Sequence, residues 1–269
     1  MRKFLSLILL ISSLFCSQFV EAKVEGVKFV QVSDVHYVAG HESLEQDLQS
    51  FVKEVNAIKD LDFVVFTGDN IDSPDAKNLH SLLKQLKGID VPCYFVIGNH
   101  DVATSSLNKD KYLDIIRSHN WFYPAWKTNF KFRKNGILFV VVDGAKQIIP
   151  GPNGYYKKDT LEWLDKVLAK NTKTPVVILQ HFPVVEPKKT RSHSTYKVED
   201  YLAIIDKYDN VIAVVSGHYH MNKEIMRNGV YHVSTPAFAE EPHYYKLIEI
   251  VNSKNFLPMI FTQLREADL

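Results

Sequence analysis

The sequence predicts an α/β fold built on mixed β-sheets, and three observations carry that prediction. Strand-like apolar runs alternate with helix-period segments from Val27 to His119. Asn-Gly pairs at Asn135–Gly136 and Asn228–Gly229 lie between strand-like runs, a strong hairpin signal that adds antiparallel pairs to parallel ones. No internal repeat or low-complexity linker divides residues 23–269, so one domain is expected there.

The elements follow in order. Val27 to Ser33 reads as the first strand. Ser43, with Gln46 three residues on, has the form of a capping box and opens a helix running to about Lys59. Asp62 to Thr67 is the second strand. Leu79, Leu82, Leu83 and Leu86 mark one face of a helix that Gly88 stops. Tyr94 to Ile97 is the third strand, followed by a helix from Asn108 to His119. Phe130 to Lys134 and Ile137 to Val142 flank the first Asn-Gly turn. Asp159 and Glu162 repeat the capping-box pattern before a helix ending near Lys170. A helix from Val198 to Tyr208 separates strands at Val176 to Leu179 and Val211 to Val215. Strands dominate after the second hairpin.

The first 22 residues read differently. Arg2 and Lys3 precede an apolar run, Phe4 to Phe15, and Val20-Glu21-Ala22 offers small residues at both key cleavage positions. The expectation is a secretory signal peptide cut after Ala22, placing the mature chain in the periplasm or outside the cell. An uncleaved N-terminal anchor is the alternative, although roughly 12 apolar residues fall short of the ~20 that a membrane span needs. Without Arg2, Lys3 and Glu21, the 32 basic and 31 acidic residues become 30 of each. That balance argues against a nucleic-acid partner. Cys93 alone remains of the two cysteines, so no intrachain disulfide is expected and its apolar context suits a small buried hydrophobe.

The chemistry lies at the strand ends. VSDVH places Asp34 and His36 past the first strand, TGDN places Asp69 past the second, and IGNHD places Asn99 and His100 past the third. LQHFP and SGHYH add His181, His218 and His220 after two later strands. Ligands in open α/β sheets gather outside the carboxyl ends of strands, so five such ends at one edge would assemble distant residues into one site. Asp34 and His36 are two apart, as are His218 and His220, so each pair shares a side of an extended segment. Gly68, Gly98 and Gly217 are expected to permit backbone conformations that other residues avoid. Imidazole and carboxylate without thiolate suits Mn, Fe or Zn in an active site rather than a structural zinc site.

Taken together, DxH (Asp34, His36), GD (Gly68, Asp69), GNHD (Gly98 to Asp101), the lone His181 and GHxH (Gly217 to His220) resemble the calcineurin-like metallophosphoesterase superfamily. The resemblance spans Val27 to about Ala237 and implies a four-layer αββα sandwich of two mixed sheets. It implies two divalent metal ions, Mn or Fe before Zn. Asp34, His36, Asp69 and His220 would hold one, and Asp69, Asn99, His181 and His218 the other, with Asp69 bridging. Two divalent ions and two carboxylates sum to about +2, which favours a phosphate anion. A hydroxide bridging the two metals would be the nucleophile. His100 would donate a proton or stabilise phosphoryl charge, and Asp101 would orient its imidazole. The implied activity is hydrolysis of a small phosphate ester, monoester or diester.

Departures narrow the resemblance. Purple acid phosphatases carry a metal-binding Tyr three residues after the GD aspartate, where this chain has Asp72, and they lack a histidine at the His36 position. The compact size, GNHD, the TLEWLDKVL helix and GHYH look more like the class III cyclic nucleotide phosphodiesterase group. A non-catalytic binding or scaffold module on the same fold is the rival, against which stands the complete ligand set. His41, Lys188, Lys189 and Arg191 are candidates for contacting substrate. The aromatic run His119 to Trp126 could stack on a base or simply pack. His80, His119, His232 and His243 read as structural, and Asp143 ends a strand but matches no ligand position.

Overall fold

The computed structural model describes residues 25–120, 123–190, 192–253 and 256–267. The segment expected to be a signal peptide lies outside them. In chain order the strands are β1 (Glu25–Val32), β2 (Phe63–Phe66), β3 (Cys93–Phe95), β4 (Phe130–Lys134), β5 (Ile137–Val142), β6 (Gly154–Tyr155) and β7 (Val176–Gln180). They continue with β8 (Thr195–Tyr196), β9 (Val211–Ser216), β10 (Lys223–Arg227), β11 (Val230–Ser234), β12 (Tyr244–Ser253) and β13 (Phe256–Glu266). The helices are α1 (Glu42–Asn56), α2 (Ala76–Gln85), α3 (Lys109–His119), α4 (Lys158–Ala169) and α5 (Val198–Ile205).

Two mixed sheets result. The first has the order β13-β12-β1-β2-β3 and the second β10-β11-β9-β7-β5-β4. Parallel pairs form each centre: β1–β2–β3 in one sheet, and β5–β7–β9–β11 in the other. Antiparallel strands flank them. Strands β5 and β7 are buried at every position, as residues covered on both faces must be. The sheets meet through aromatic rings: Phe29 and Phe63 of the first lie 5.6 and 5.0 Å from Phe139 of the second. A buried amide adds a polar tie, since Gln31 Nε2 donates to Thr67 Oγ1 (3.0 Å) and to the Ser216 carbonyl (2.9 Å). With α1, α2 and α3 packed side by side and α4 against α5, the arrangement is the expected αββα sandwich. No helix among the described residues is long and apolar enough to cross a membrane.

Local chemistry explains most boundaries and corrects two. Asp75 and Asn108 cap α2 and α3 by accepting the N–H groups of Lys77 and Lys111. Both Asn-Gly turns take left-handed values at each central residue, as a two-residue hairpin turn requires (φ 43° and 79°; 48° and 78°). Neither expected capping box forms. Helix α1 starts at Glu42 with His41 as its uncapped N-terminal neighbour, because Glu45 turns back to the Gly40 N–H (3.1 Å) and the Tyr37 hydroxyl (2.8 Å). Helix α4 likewise starts at Lys158, leaving Asp159 inside its first turn, where a carboxylate favours the positive end of the dipole. The two-residue ladder β6–β8 had no periodicity to reveal it.

Candidate metal centre and cleft

The carboxyl ends of β1, β2, β3, β7 and β9 converge as expected. Backbone bonds stitch the loops together: Asp34 N–H to the Gly68 carbonyl, His36 N–H to the Asp69 carbonyl, and Gly217 N–H to the His181 carbonyl, all 3.0 Å. Asp34, His36, Asp69, His218 and His220 all have left-handed backbones, with φ from 44° to 74°. Such strain costs of order 1–3 kcal/mol per residue and concentrates at functional sites. Of the three glycines, only Gly68 is left-handed (φ 97°). Gly98 and Gly217 serve a different need, close approach: a β-carbon on Gly98 would overlap Asp69 Oδ1, and one on Gly217 would overlap Ser33 Oγ.

Three groups among the described residues have ligand atoms within 4.8 Å of one another: the clusters Asp34–His36–His220 and Asp69–His181–His218, and His36–Asp69–His100, which links them. His220 Nε2 lies 3.3 Å from Asp34 Oδ1, and His181 Nε2 3.3 Å from Asp69 Oδ2. His36 Nε2 is 4.0 Å from both carboxylates, so Asp69 faces both clusters. Asp34 Oδ1, His36 Nε2 and Asn99 Oδ1 are buried without a hydrogen-bond partner. A buried polar atom left unpaired is costly, and two divalent cations, one at Asp34 and His36 and one at Asn99, would satisfy all three. The residues fit two such ions.

Outer partners aim the ligands. His181 donates Nδ1–H to the Thr67 carbonyl (2.8 Å), and His220 donates Nδ1–H to Glu240 Oε1 (2.6 Å), leaving each Nε2 for the cluster. His218 is reversed: its Nε2–H meets the His193 carbonyl at 3.1 Å, so Nδ1 faces inward. Asp34 Oδ2 accepts from Ser33 Oγ (2.5 Å) and from the His218 N–H (3.0 Å), which frees Oδ1.

The field of the site follows from its charges. Burial works against ionised Asp69, yet the His181 imidazole beside it holds the carboxyl well below the usual range. Burial also opposes protonated His181 and His220, but Asp69 and Asp34 respectively push them up to about 9. His218, desolvated and next to His181, falls to about 3. The carboxylate field that holds protons on two imidazoles is one that attracts cations.

The GNHD loop departs from expectation at its end. Asp101 does not touch the His100 ring. It is fully buried, accepting the backbone N–H groups of Gly98 (2.7 Å), Asn70 (2.8 Å) and Ile71 (3.1 Å) and the Asn70 side-chain amide (3.0 Å). It therefore joins the second and third ligand loops. Burial and the neighbouring Asp69 charge push it up to about 7. His100 instead donates Nδ1–H to the Asp72 carbonyl at 2.6 Å, with its ring edge-on to His36 at 4.7 Å. Main-chain geometry at Asp72 was invisible to side-chain reasoning.

A cleft of about 830 Å³ opens over the clusters. Lys188 lines it as expected, whereas Lys189 and His41 do not, and Arg191 lies outside the described residues. His41 is exposed at the head of α1, hydrogen-bonded to Ser43 Oγ. His193, Glu240 and the turn Pro150–Pro152 line the cleft without having been anticipated. No described residue of the aromatic run lines it: Tyr123 is buried, accepting the Phe95 N–H, and Trp126 is exposed under the Arg117 guanidinium. Trp121 and Phe122 lie outside the described residues. Asp143 is paired with Lys109 (2.5 Å), and His80 with His119 (2.9 Å), away from the cleft.

A mixed two-sheet sandwich with two adjoining carboxylate–imidazole clusters at its strand ends defines the class of metal-dependent phosphoester hydrolases. Residues 27–222 match the calcineurin-like phosphoesterase family, and the chain belongs to that family. Several curated relatives are named cyclic-nucleotide phosphodiesterases, and another is named a glycerophosphodiester phosphodiesterase. One, the 3′,5′-cyclic-nucleotide phosphodiesterase of Nostoc, is 24% identical over 78% of this chain and 78% of its own. The 3′,5′-cyclic adenosine monophosphate phosphodiesterase of Vibrio vulnificus is 23% identical over 78% and 76%. Among solved structures, a dimetal phosphatase from Danio rerio shares the fold at a TM-score of 0.68, with 15% identity, covering 88% of this chain and 98% of that one.

Proposed function

We propose that this chain is an exported phosphodiesterase that hydrolyses a small phosphate ester at a two-metal site. The observation that carries the two-metal reading is Asp69 Oδ2 between the clusters, 3.3 Å from His181 Nε2 and 4.0 Å from His36 Nε2, at a cleft where Asp34 Oδ1, His36 Nε2 and Asn99 Oδ1 are buried and unpartnered. Asp34, His36, Asp69 and His220 would hold one ion, and Asp69, Asn99, His181 and His218 the other. The donor set of imidazole, carboxylate and amide oxygen, without thiolate, favours Mn, Fe or Zn. When bound, two such ions supply Lewis acidity toward phosphoryl oxygens and acidify water near neutral pH.

The chain's own residues supply the rest. Asn99 contributes an oxygen without charge, so the site keeps a positive balance toward a phosphate anion. His100, held through Nδ1–H by the Asp72 carbonyl, would as the imidazolium give its Nε2 proton to the departing ester oxygen. Asp101 keeps the loop carrying Asn99 and His100 against the loop carrying Asp69. Lys188 at the rim adds attraction for an anion. The names of the curated relatives favour a diester. Export rests on the N-terminal apolar run, with a retained anchor as the other arrangement of that segment.

The test compares initial rates of the manganese-loaded protein on bis-p-nitrophenyl phosphate and p-nitrophenyl phosphate, with a chelated control. Faster diester hydrolysis that the chelator abolishes is expected. Preference for the monoester would make the chain a phosphatase, and chelator-resistant hydrolysis would contradict the metal assignment.

A further inference from the structure

Two imidazoles outside the proposed ligand set face the cleft, one beside each cluster. His100 packs against His36, and His193 stands 5.2 Å from the His218 ring, centroid to centroid. His193 is exposed in the cleft, and among the described residues its ring nitrogens have no hydrogen-bond partner. Its backbone is left-handed (φ 73°), a strained conformation for a residue with a β-carbon.

The strain is held by anchors at His193 and just after it. The His193 carbonyl accepts the His218 Nε2–H at 3.1 Å. The next residues are fastened as well: the Ser194 carbonyl accepts the Gly154 N–H (3.1 Å), Thr195 Oγ1 donates to the Pro183 carbonyl (2.8 Å), and β8 pairs with β6. The main chain is thus fixed to a candidate ligand while the ring is left with both nitrogens available to the cleft. Lys188 and Thr190, earlier in the same loop, line the same cleft.

We propose that His193 contacts substrate, its ring N–H donating to an oxygen of a phosphate ester bound beside the Asp69–His181–His218 cluster. The proposal rests on the phosphoesterase reading and deepens it: His100 serves one side of the bound phosphate and His193 the other. The backbone carbonyl, not the side chain, fixes His218, so the two roles of His193 separate by mutation.

The experiment uses manganese-loaded wild type, His193→Ala and His193→Gln. It measures KM and kcat on bis-p-nitrophenyl phosphate, the inhibition constant of inorganic phosphate, and bound metal. His193→Ala is expected to raise both KM and the phosphate inhibition constant roughly tenfold, the scale of one hydrogen bond to a charged group, with kcat changing less. His193→Gln, which keeps an N–H donor, is expected to recover part of the loss, and both variants to keep wild-type metal content. Unchanged KM and phosphate inhibition in His193→Ala would overturn the proposal. So would loss of metal in step with activity, which would make the residue a support for His218. Wild type that binds metal yet neither hydrolyses esters nor binds phosphate would instead overturn the phosphoesterase reading, and this proposal with it.

Discussion

Asp69 Oδ1 accepts the backbone N–H of His100 at 2.8 Å while its Oδ2 faces His181 Nε2 at 3.3 Å. One carboxylate thus positions the GNHD loop and faces both clusters. An amide in its place could still accept the His100 N–H, but it would lack the charge that two cations share. Asp69→Asn is therefore expected to keep the fold, seen as an unchanged far-ultraviolet spectrum, and to lose metal and at least about a hundredfold in activity, given that even outer partners of ligands are worth 10–100-fold. Wild-type metal content with full activity would show that Asp69 does not bridge two metals.

His100 is expected to behave in the opposite way. Its ring touches His36 but is held by the Asp72 carbonyl, outside both proposed ligand sets. His100→Ala should retain metal, measured by elemental analysis, while kcat falls by about 10²–10⁴-fold, the range of general acid catalysis. The loss should shrink on esters whose leaving group is acidic enough to depart unprotonated.

Asp101 carries a stability prediction instead. Asp101→Ala strands three buried backbone N–H groups, of Asn70, Ile71 and Gly98, while the Asn70 side-chain amide keeps the Val96 carbonyl. At 1–3 kcal/mol per unsatisfied group, with water recovering part, the cost is about 3 kcal/mol or more. Melting of the metal-free protein should fall by roughly 6–10 °C, for a chain of this size. An unchanged Tm would show that the loop does not depend on this carboxylate.

The pH dependence of folding has a marker away from the metals. His232 is buried with Nε2 unpartnered, and burial pushes its imidazole down to about 4. The folded state therefore binds this proton less readily than the unfolded chain, whose imidazole titrates near 6.5. Its contribution to stability is complete above pH 6.5 and is lost as pH falls toward 4. Between pH 7 and 4.5 the loss is roughly 2–3 kcal/mol. Urea unfolding of chelated wild type and His232→Gln at both pH values should show a smaller acid penalty in the variant. Equal penalties would contradict the assignment.

Much of this architecture was legible because the motifs mark strand ends. Periodicity placed β1, β2, β3, β7 and β9, and the gathering of ligands at strand carboxyl ends, with the family resemblance, brought together the polar residues after each. What stayed hidden depends on main-chain atoms or on loops without periodicity. The Asp72 carbonyl that holds His100, the His193 carbonyl that holds His218, and Glu240 on His220 have no pattern in side-chain type. The adjacent Asp101 looked like the partner of His100, but burial turned it toward three backbone N–H groups. Gly98 and Gly217 were rightly singled out, for a reason of space rather than of φ.

The most direct test of two-metal hydrolysis is a titration of chelator-stripped protein with Mn²⁺, following bound metal and the rate on bis-p-nitrophenyl phosphate in the same samples. Little activity is expected without metal, with a rate that reaches its plateau as the second equivalent binds. A plateau after one equivalent, or hydrolysis by the stripped protein, would contradict a two-metal hydrolase.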